Sequence, residues 1–392
     1  MTFQELGLSR ELIKLLQQDN IYKPLPIQQK VIPEALSGKN LLVSSQTGSG
    51  KTLSYLLPLV MRLKEYQIRH QTRALILAPT RELAQQIGQC AAPLCASNTL
   101  SYTVIVGGVN YEPQIEALGN YPDIVISTPG RLIDLLEQGV TQINQLEVFI
   151  LDEVDQMLDL GFREPITKLA QLRDMQAQTL GFSATLPDKV AEIMELLSDN
   201  IQHLSIEDAP ISVATIEHLG YYVSFEMMDH LLLHLLRREQ PQQSIIFTRS
   251  RKMADRVVSL LTTNKIEAEA MHSDRSQAAR EHILERFRSG ATSILVATDV
   301  IARGIDIDTI THVFNFGLPQ NAEQYIHRTG RVGRAGRTGR AISLFTPDEK
   351  PMVDAICQLM KRHIVIDNSH PYITSQVTQA LSPGKKTNKR HR

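Results

Sequence analysis

The sequence predicts an α/β protein built on two parallel sheets, and three observations support that prediction. Short apolar runs recur along the chain, separated by segments with the spacing of amphipathic helices. The runs are almost continuously apolar rather than alternating, which is typical of parallel strands covered by helices on both faces. With 392 residues, the chain is long enough for two domains of ordinary size.

The predicted strands fall into two sets, one in each half of the chain. The set in the first half comprises 40–45, 73–80, 123–129, 148–153 and 179–185. The set in the second half comprises 221–225, 244–249, 266–273, 293–299, 312–317 and 341–346. From these sets we predict an N-terminal domain over 1–207, a linker over 208–216, a C-terminal domain over 217–367 and a flexible basic tail over 368–392.

The amino-acid composition indicates the general class of protein but does not identify a ligand. Hydrophobic residues make up 42% and charged residues 21%, as in globular proteins with sizeable cores. Because the net charge is −1, a nucleic acid would have to bind a local basic surface. The three cysteines lack the spacing of a zinc site and fit a reducing compartment. Since no apolar run resembles a signal peptide or a membrane span, we expect a soluble, cytoplasmic protein.

A glycine-rich segment, SSQTGSGKT at 44–52, follows the first predicted strand and precedes a segment of helical character. This is the context of a phosphate-binding loop, in which backbone N–H groups and a helix N-terminus face phosphate oxygens. Ser45 stands where the usual pattern has glycine. Lys51 would reach the β- and γ-phosphates, and the Thr52 hydroxyl would bind Mg²⁺. The predicted nucleotide contacts here are Thr47, Gly48, Ser49, Gly50, Lys51 and Thr52.

Two adjacent carboxylates end another predicted strand. Asp152 and Glu153 follow the apolar run VFIL, where plain surface acids are not expected. Asp152 would hold Mg²⁺ through water, and Glu153 would orient and deprotonate the attacking water. Together with the phosphate-binding loop, this pair indicates a nucleoside triphosphatase.

Eleven short motifs follow one another along the chain. They are PLPIQ (24–28), SQTGSGKT (45–52), PTRELA (79–84), Gly107-Gly108, TPGR (128–131), DEVD (152–155), SAT (183–185), IIFTRS (245–250), SQAAR (276–280), ATDVIARGIDI (297–307) and HRTGRVGRAG (327–336). In this order they resemble the motifs of the DEAD-box RNA helicases, and the match runs from Phe3 to Phe345. The resemblance implies two tandem RecA-like domains joined by a short linker, with ATP and Mg²⁺ required for activity.

The resemblance implies how the nucleoside is held. Within an adenine-recognition segment over 1–28, Gln28 matches a residue that reads adenine, and Phe3 matches an aromatic that stacks on it. The alternative for Phe3 is a core residue packed against the first helix. Asp306 resembles a ribose contact. This segment departs from the family pattern at Asn20, Ile21 and Leu25, which puts adenine selectivity in doubt.

The resemblance also implies a group of residues that completes the catalytic site. Arg331 and Arg334 resemble arginines that approach the γ-phosphate from the second domain and neutralise transition-state charge. An alternative interpretation of their motif is a basic RNA-binding loop. Val154 replaces the alanine of the family's name motif, and we expect this β-branched residue to suit a strand end. The residues implied to couple nucleotide binding to domain closure are Asp155, Ser183, Thr185 and His327.

RNA is the implied partner, as a single strand or a short duplex. We expect the protein to be a monomer that does not associate with a membrane. Backbone contacts would supply affinity with little sequence specificity, and contacts to 2′-hydroxyls would favour RNA over DNA. The basic tail is either an auxiliary RNA-binding arm or a solubilising terminus. The matching RNA contacts are Pro79, Thr80, Arg81, Gly107, Gly108, Thr128, Pro129, Gly130, Arg131, Thr248, Gln277, Arg280 and Thr298.

The predicted activity is RNA-stimulated ATP hydrolysis that drives domain closure and local, non-processive unwinding or remodelling of RNA duplexes or RNA–protein complexes. Two alternatives stay open: an ATP-gated RNA clamp that does not unwind, and a DNA translocase with the same two-domain motor. His230 and His234 lie four residues apart, but the glutamate of a zinc-binding HExxH helix is absent. We therefore expect no metal site there.

Overall fold

The computed structural model describes residues 1–45, 49–65, 71–206, 216–299, 309–333, 338–375 and 377–378. The chain divides into two compact units, Met1–Ala209 and Pro210–Arg392. Within the described parts of the chain, none of the helices combines the length and the apolar character needed to cross a membrane.

The first unit contains a seven-stranded sheet in the order β3-β4-β2-β5-β6-β1-β7. Every recorded strand pair in it is parallel, as predicted. Its strands are β1 Leu41–Ser44, β2 Ala74–Leu77, β3 Tyr102–Ile105, β4 Ile124–Ser127, β5 Val148–Leu151, β6 Gln178–Ser183 and β7 Gln202–Ser205.

Helices cover both faces of this sheet. They are α1 Arg10–Gln18, α2 Pro26–Leu36, α3 Lys51–Lys64, α4 Arg81–Ser97, α5 Glu112–Gly119, α6 Pro129–Glu137, α7 Val154–Asp159, α8 Arg163–Leu172 and α9 Asp188–Leu197. Successive strand residues enter opposite cores, as the two-residue period of a strand requires. Leu41 and Val43 pack with residues of α1 to α4, whereas Leu42 packs with residues of α5 to α9.

The second unit repeats this architecture, with a parallel sheet in the order β10-β11-β9-β12-β13-β8-β14. Its strands are β8 Ile216–Tyr222, β9 Ser244–Thr248, β10 Glu269–Met271, β11 Ile294–Thr298, β12 His312–Phe316, β13 Gly339–Phe345 and β14 Val365–Ile366. Its α-helices are α10 Met228–Glu239, α11 Arg251–Thr263, α12 Gln277–Arg288, α13 Ala322–Thr329 and α14 Lys350–Met360. Ile246 and Ile245 again lie in separate cores on opposite faces.

The predicted strands are present, with one displaced. The strand predicted at 221–225 runs instead from Ile216 to Tyr222, and a 3-10 helix over Phe225–Met227 follows it. Three strands were not predicted: β3, β7 and β14. β3 and β7 are only partly buried and mix polar with apolar residues, whereas β14 is a two-residue strand whose Val365 and Ile366 are exposed, so none of the three forms the longer apolar run that identified the others.

Two predicted segments fall mainly outside the described residues: the linker over 208–216, apart from Ile216, and residues 379–392 of the tail. The beginning of the predicted tail packs against the second unit. His370 is buried and bonds to the Tyr222 carbonyl through Nε2 at 3.0 Å, and Val377 is buried beside α14. We therefore propose that the C-terminal domain continues to about residue 378 rather than ending at 367.

Candidate nucleotide and nucleic-acid sites

The carboxyl ends of the strands of one parallel sheet meet at the same edge, and ligands bind there in open α/β sheets. In the first unit, the strand order places the predicted motifs side by side along that edge. The phosphate-binding loop follows β1, the SAT motif follows β6, and Asp152 follows β5. The RNA-contact motifs then follow β2, β4 and β3. Nucleotide residues and RNA residues therefore form two adjoining halves of one edge.

The phosphate-binding loop ends in a left-handed turn at Gly50, whose φ is +88°, and α3 begins at the next residue. A Cβ on Gly50 would lie 2.7 Å from Leu25 Cδ1 and 2.8 Å from Gln28 Nε2, so glycine is required. Ser45 Oγ donates to Ser49 Oγ at 2.6 Å across the loop. Lys51 and Thr52 form the first turn of α3. Thr47 and Gly48 lie outside the described residues.

Asp152 is buried at the end of β5, and the Tyr55 hydroxyl of α3 donates to its Oδ2 at 2.9 Å. Burial raises the pKa of Asp152 to about 6; the Glu153 carboxylate also raises it, while Lys51 and the Tyr55 hydrogen bond lower it. Glu153 has a left-handed backbone, with φ of 53°. Val154 is the first residue of α7 rather than the end of a strand, because the chain turns at Glu153.

In the nucleotide half of this edge, Lys51 Nζ and Glu153 Oε2 are buried without a hydrogen-bond partner among the described residues. Leaving such groups unpaired costs stability, so their burial fits a site whose ligand supplies the partners. Phosphate oxygens would satisfy the ammonium, and a water molecule would satisfy the carboxylate. The donor set of Thr52 and Asp152 offers the oxygen atoms that Mg²⁺ prefers.

The adenine-recognition segment places its two key residues differently. Gln28 is buried and joins the start of α2 to the phosphate-binding loop. Its Oε1 accepts from the Leu25 N–H at 2.9 Å, and its Nε2 donates to the Gly50 carbonyl at 3.3 Å. Phe3 is only 3% exposed and belongs to the hydrophobic core with residues of α1 and α2. This is the position expected from the alternative interpretation of Phe3 as a core residue.

The beginning of α7 is tied to the end of β6 by a buried network. Asp155 Oδ2 accepts from the Thr185 N–H at 3.0 Å and from its hydroxyl at 2.9 Å. The Ser183 hydroxyl donates to the Thr185 carbonyl at 2.6 Å. A shift of the SAT segment would therefore move the helix that follows Glu153.

In the RNA half of the edge, Pro79 and Thr80 connect β2 to α4, and the Thr80 hydroxyl caps the helix by accepting from the Leu83 N–H at 3.2 Å. Arg81 lies directly against Gly107 and Gly108. A Cβ on Gly108, whose φ is +73°, would fall 1.9 Å from Arg81 Nη1. The pair of glycines therefore lets this guanidinium lie flat against the loop after β3.

The TPGR motif begins α6, with Thr128 at the N-cap and Pro129 and Gly130 in the first turn. Arg131 is 7% exposed, and its guanidinium lies 3.9 Å from the centre of the Tyr111 ring. Its Nη2 donates to the Val109 carbonyl at 3.0 Å. The N-termini of α4 and α6 thus open on the same edge, where their partial positive charges favour phosphate.

In the second unit, Thr248 and Thr298 end neighbouring strands and pair in register. Arg280 and Gln277 lie on α12, where Arg280 Nη2 donates to Gln277 Oε1 at 2.6 Å. Gln277 in turn donates to Glu281 Oε1 at 2.8 Å, so it orients the arginine.

The motif around α13 contributes His327 and Arg331, both buried, and Arg331 Nε donates to the His327 carbonyl at 3.1 Å. Arg328 between them was not predicted. It forms an ion pair with Asp299 and donates to Asn315 Oδ1 at 3.1 Å, which ties α13 to the end of β11. Asp306 and Arg334 lie outside the described residues.

Two family models match the chain: DEAD/DEAH box helicase over residues 25–193, and helicase conserved C-terminal domain over residues 225–336. The DEAD-box ATP-dependent RNA helicase CshA of Geobacillus kaustophilus is 38% identical over 361 residues, covering 92% of this chain and 77% of that one. The chain belongs to the DEAD-box helicase family. This DEAD-box protein is also 37% identical to CshA of Bacillus subtilis, over 92% of its own chain and 73% of the relative.

Solved structures similar to this DEAD-box protein agree on the fold. S. cerevisiae Dbp5 bound to RNA and ADP BeF3 matches with a TM-score of 0.86 and 28% identity, over 97% of this chain and 99% of that one. Mss116p bound to ssRNA and AMP-PNP matches with a TM-score of 0.85 and 27% identity, over 97% and 82% of the two chains. The expectation of two tandem RecA-like domains is confirmed.

Proposed function

We propose that this DEAD-box protein is an ATP-dependent RNA helicase, in which RNA-stimulated ATP hydrolysis drives domain closure and local unwinding or remodelling of RNA. The observation that carries the proposal is the shared edge of the first sheet. The buried Asp155–Ser183–Thr185 network lies between the phosphate-binding loop and the RNA-contact motifs. Nucleotide and RNA would therefore act on the same strand ends.

The catalytic roles follow from the charges and the unpaired atoms. Lys51 binds the β- and γ-phosphates, and Glu153 takes the proton of the attacking water. Thr52 and Asp152 would hold Mg²⁺, which would screen the negative charge of the phosphates. Gly50 lets the backbone approach them closely. Arg331 and Arg334 supply positive charge during phosphoryl transfer, and Gln28 and Asp306 contact the nucleoside.

RNA binding rests on sugar–phosphate contacts. In the first unit, the N-termini of α4 and α6 contribute N–H groups, and Arg81 and Arg131 contribute guanidinium groups. In the second unit, Arg280 on α12 and the threonines that end β9 and β11 supply further RNA contacts. Such contacts give affinity without reading bases. We propose single-stranded RNA or one strand of a short duplex as the substrate, and a cytoplasmic location that suits the free thiols.

The decisive experiment is the steady-state ATPase rate with no nucleic acid, with single-stranded RNA, and with DNA of the same sequence. Strong stimulation by RNA alone is expected. Equal rates in all three conditions, or the highest rate with DNA, would contradict the proposal and favour the DNA translocase. Lys51→Met is the control that shows the rate belongs to this site.

A strand-displacement assay on a short RNA duplex separates the helicase from the RNA clamp. We expect ATP-dependent release of the labelled strand. RNA-stimulated hydrolysis without strand release would favour the clamp.

A further inference from the structure

We propose that Tyr111 is a positioning residue for RNA binding, which holds Arg131 in the orientation that takes one RNA phosphate. This inference deepens the proposed function and rests on the RNA role of Arg131. Tyr111 lies just before α5, outside the recognised motifs, and nothing in its local sequence marks it.

The geometry of the pair is specific. The Arg131 guanidinium carbon lies 3.9 Å from the centre of the Tyr111 ring, a cation–π distance. Arg131 Nη2 donates to the Val109 carbonyl at 3.0 Å. Val109 and Tyr111 both belong to the connection that follows Gly107 and Gly108. One short segment therefore supplies both contacts that orient the guanidinium.

Tyr111 also keeps an acid away from the arginine. Asp134 lies three residues after Arg131 on α6, a spacing at which opposite charges pair on a helix surface. Instead, the Tyr111 hydroxyl donates to Asp134 Oδ2 at 3.3 Å. Among the described residues, Asp134 bonds to Tyr111, and Arg131 contacts Tyr111 and the Val109 carbonyl, so the positive charge of Arg131 stays available to a ligand.

The guanidinium of Arg131 is therefore fixed in orientation, but one of its nitrogen atoms lacks a hydrogen-bond partner. Arg131 is 7% exposed, and its Nη1 has no hydrogen-bond partner among the residues that the structure describes. A planar guanidinium held by stacking on one face and a carbonyl on one edge presents its remaining N–H groups in a set direction. A phosphate oxygen supplies the acceptor that this buried atom lacks. Since the orientation exists before binding, less side-chain entropy is lost when RNA binds.

The test is the affinity of the full chain for labelled single-stranded RNA with a non-hydrolysable ATP analogue, measured over a series of salt concentrations. The variants are Tyr111→Leu, Tyr111→Phe, Arg131→Gln and the double variant Tyr111→Leu/Arg131→Gln. The control is Tyr102→Leu, another half-buried tyrosine of this unit, which lies on the edge strand β3. Thermal denaturation confirms that each variant is folded.

We expect Tyr111→Leu to weaken RNA binding about three- to tenfold. The slope of log K against log salt should fall by about 0.7, as for one lost phosphate contact on a single strand. Tyr111→Phe keeps the ring and loses the bond to Asp134, which frees that carboxylate to approach Arg131, so its loss of affinity should be real but smaller than that of Tyr111→Leu. Tyr102→Leu should change neither the affinity nor the slope.

The double variant separates positioning from direct contact. If Tyr111 acts only through Arg131, the double variant binds as weakly as Arg131→Gln alone. Additive losses would mean that Tyr111 contacts RNA itself and would overturn the inference. So would unaltered binding by Tyr111→Leu while Arg131→Gln is weak, a result that leaves the proposed function intact. Unaltered binding by Arg131→Gln would instead remove the RNA role of Arg131 on which both proposals rest.

Discussion

Three side chains at the predicted site bury polar atoms in a way that is unfavourable for a protein that binds no ligand. Lys51, Glu153 and Arg131 each bury a polar atom that lacks a partner in the described part of the chain. Each such atom costs stability unless something else pairs with it. The fold tolerates these losses at positions where phosphate or water would supply the missing bond, so the site is prepared before its ligands arrive.

Glu153→Gln should bind ATP and RNA but hydrolyse ATP about 10²- to 10⁴-fold more slowly, because the amide cannot take a proton from water. The measurement combines equilibrium binding of both ligands with single-turnover hydrolysis. Glutamine has nearly the same size and also fits the left-handed position only with strain, so folding is compared by thermal denaturation. Hydrolysis at the normal rate would show that Glu153 is not the general base.

Asp152 should make stability depend on pH in the absence of Mg²⁺ and nucleotide. Its pKa is raised from 3.8 to about 6 in the folded protein, so the folded state holds this proton more tightly than the unfolded state. The contribution of Asp152 to stability is therefore present below pH 4 and lost as pH rises through 6. Asp152→Asn should leave stability unchanged at low pH and raise it by up to about 3 kcal/mol at pH 8.

The denaturation midpoint of Asp152→Asn, compared with the unaltered chain in chelator at both pH values, measures this effect. Tyr55 can still donate to the asparagine oxygen, so its hydrogen bond is retained in the comparison. An equal difference at both pH values would contradict the assigned cause.

Helices and strands arrange these side chains through their ends. The helices α3, α4 and α6 each begin at the carboxyl edge of the first sheet, directly after β1, β2 and β4. Their N-termini concentrate unpaired N–H groups and partial positive charge along one line. The short helix α7 also begins there and is linked to the end of β6 through Asp155 and Thr185. We expect binding of either ligand at this edge to shift α7.

Thr185→Val should uncouple hydrolysis from unwinding. Valine keeps the shape and the backbone N–H bond to Asp155 but removes the hydroxyl bond of 2.9 Å. We expect ATP binding to be retained and the number of duplexes opened per ATP to fall severalfold. The matched control is Thr179→Val, a buried threonine of β6, the strand that leads into the SAT motif. An equal fall in both variants would indicate general damage to the strand.

We propose a ligand-binding edge in each of the two similar units, and the proposed function requires both edges to act together. RNA and ATP should then tighten each other's binding by the same factor, because coupling free energy is reciprocal. Factors of about 5 to 150 are typical. The four dissociation constants, with and without the second ligand, measure it. Arg331→Gln should reduce the coupling, and independent binding by the unaltered chain would contradict it.

Much of the fold and of the candidate site could be predicted from the sequence, because the patterns that indicate them involve residues close together in the chain. Continuous apolar runs identified the central strands, and glycine, lysine and carboxylate spacing identified the phosphate-binding loop and Asp152-Glu153. The edge strands β3 and β7 were missed because partial burial leaves mixed polar and apolar sequences, and β14 was missed because it has only two residues. For Phe3, adenine stacking stays a prediction, and its burial in the core favours the alternative of packing against the first helix, a distinction that short-range sequence does not contain.

By itself, then, the sequence determined the α/β class, the two-sheet architecture and the segments that carry the chemistry, since each depends on neighbours along the chain. Only the tertiary structure decided which of those segments adjoin. Tyr55 and Asp152 form a hydrogen bond although they are 97 residues apart in the sequence. Tyr111, in the connection between β3 and α5, stacks on Arg131 of α6. No periodicity encodes such pairs, because they arise where the strand order brings the ends of separate elements to one edge.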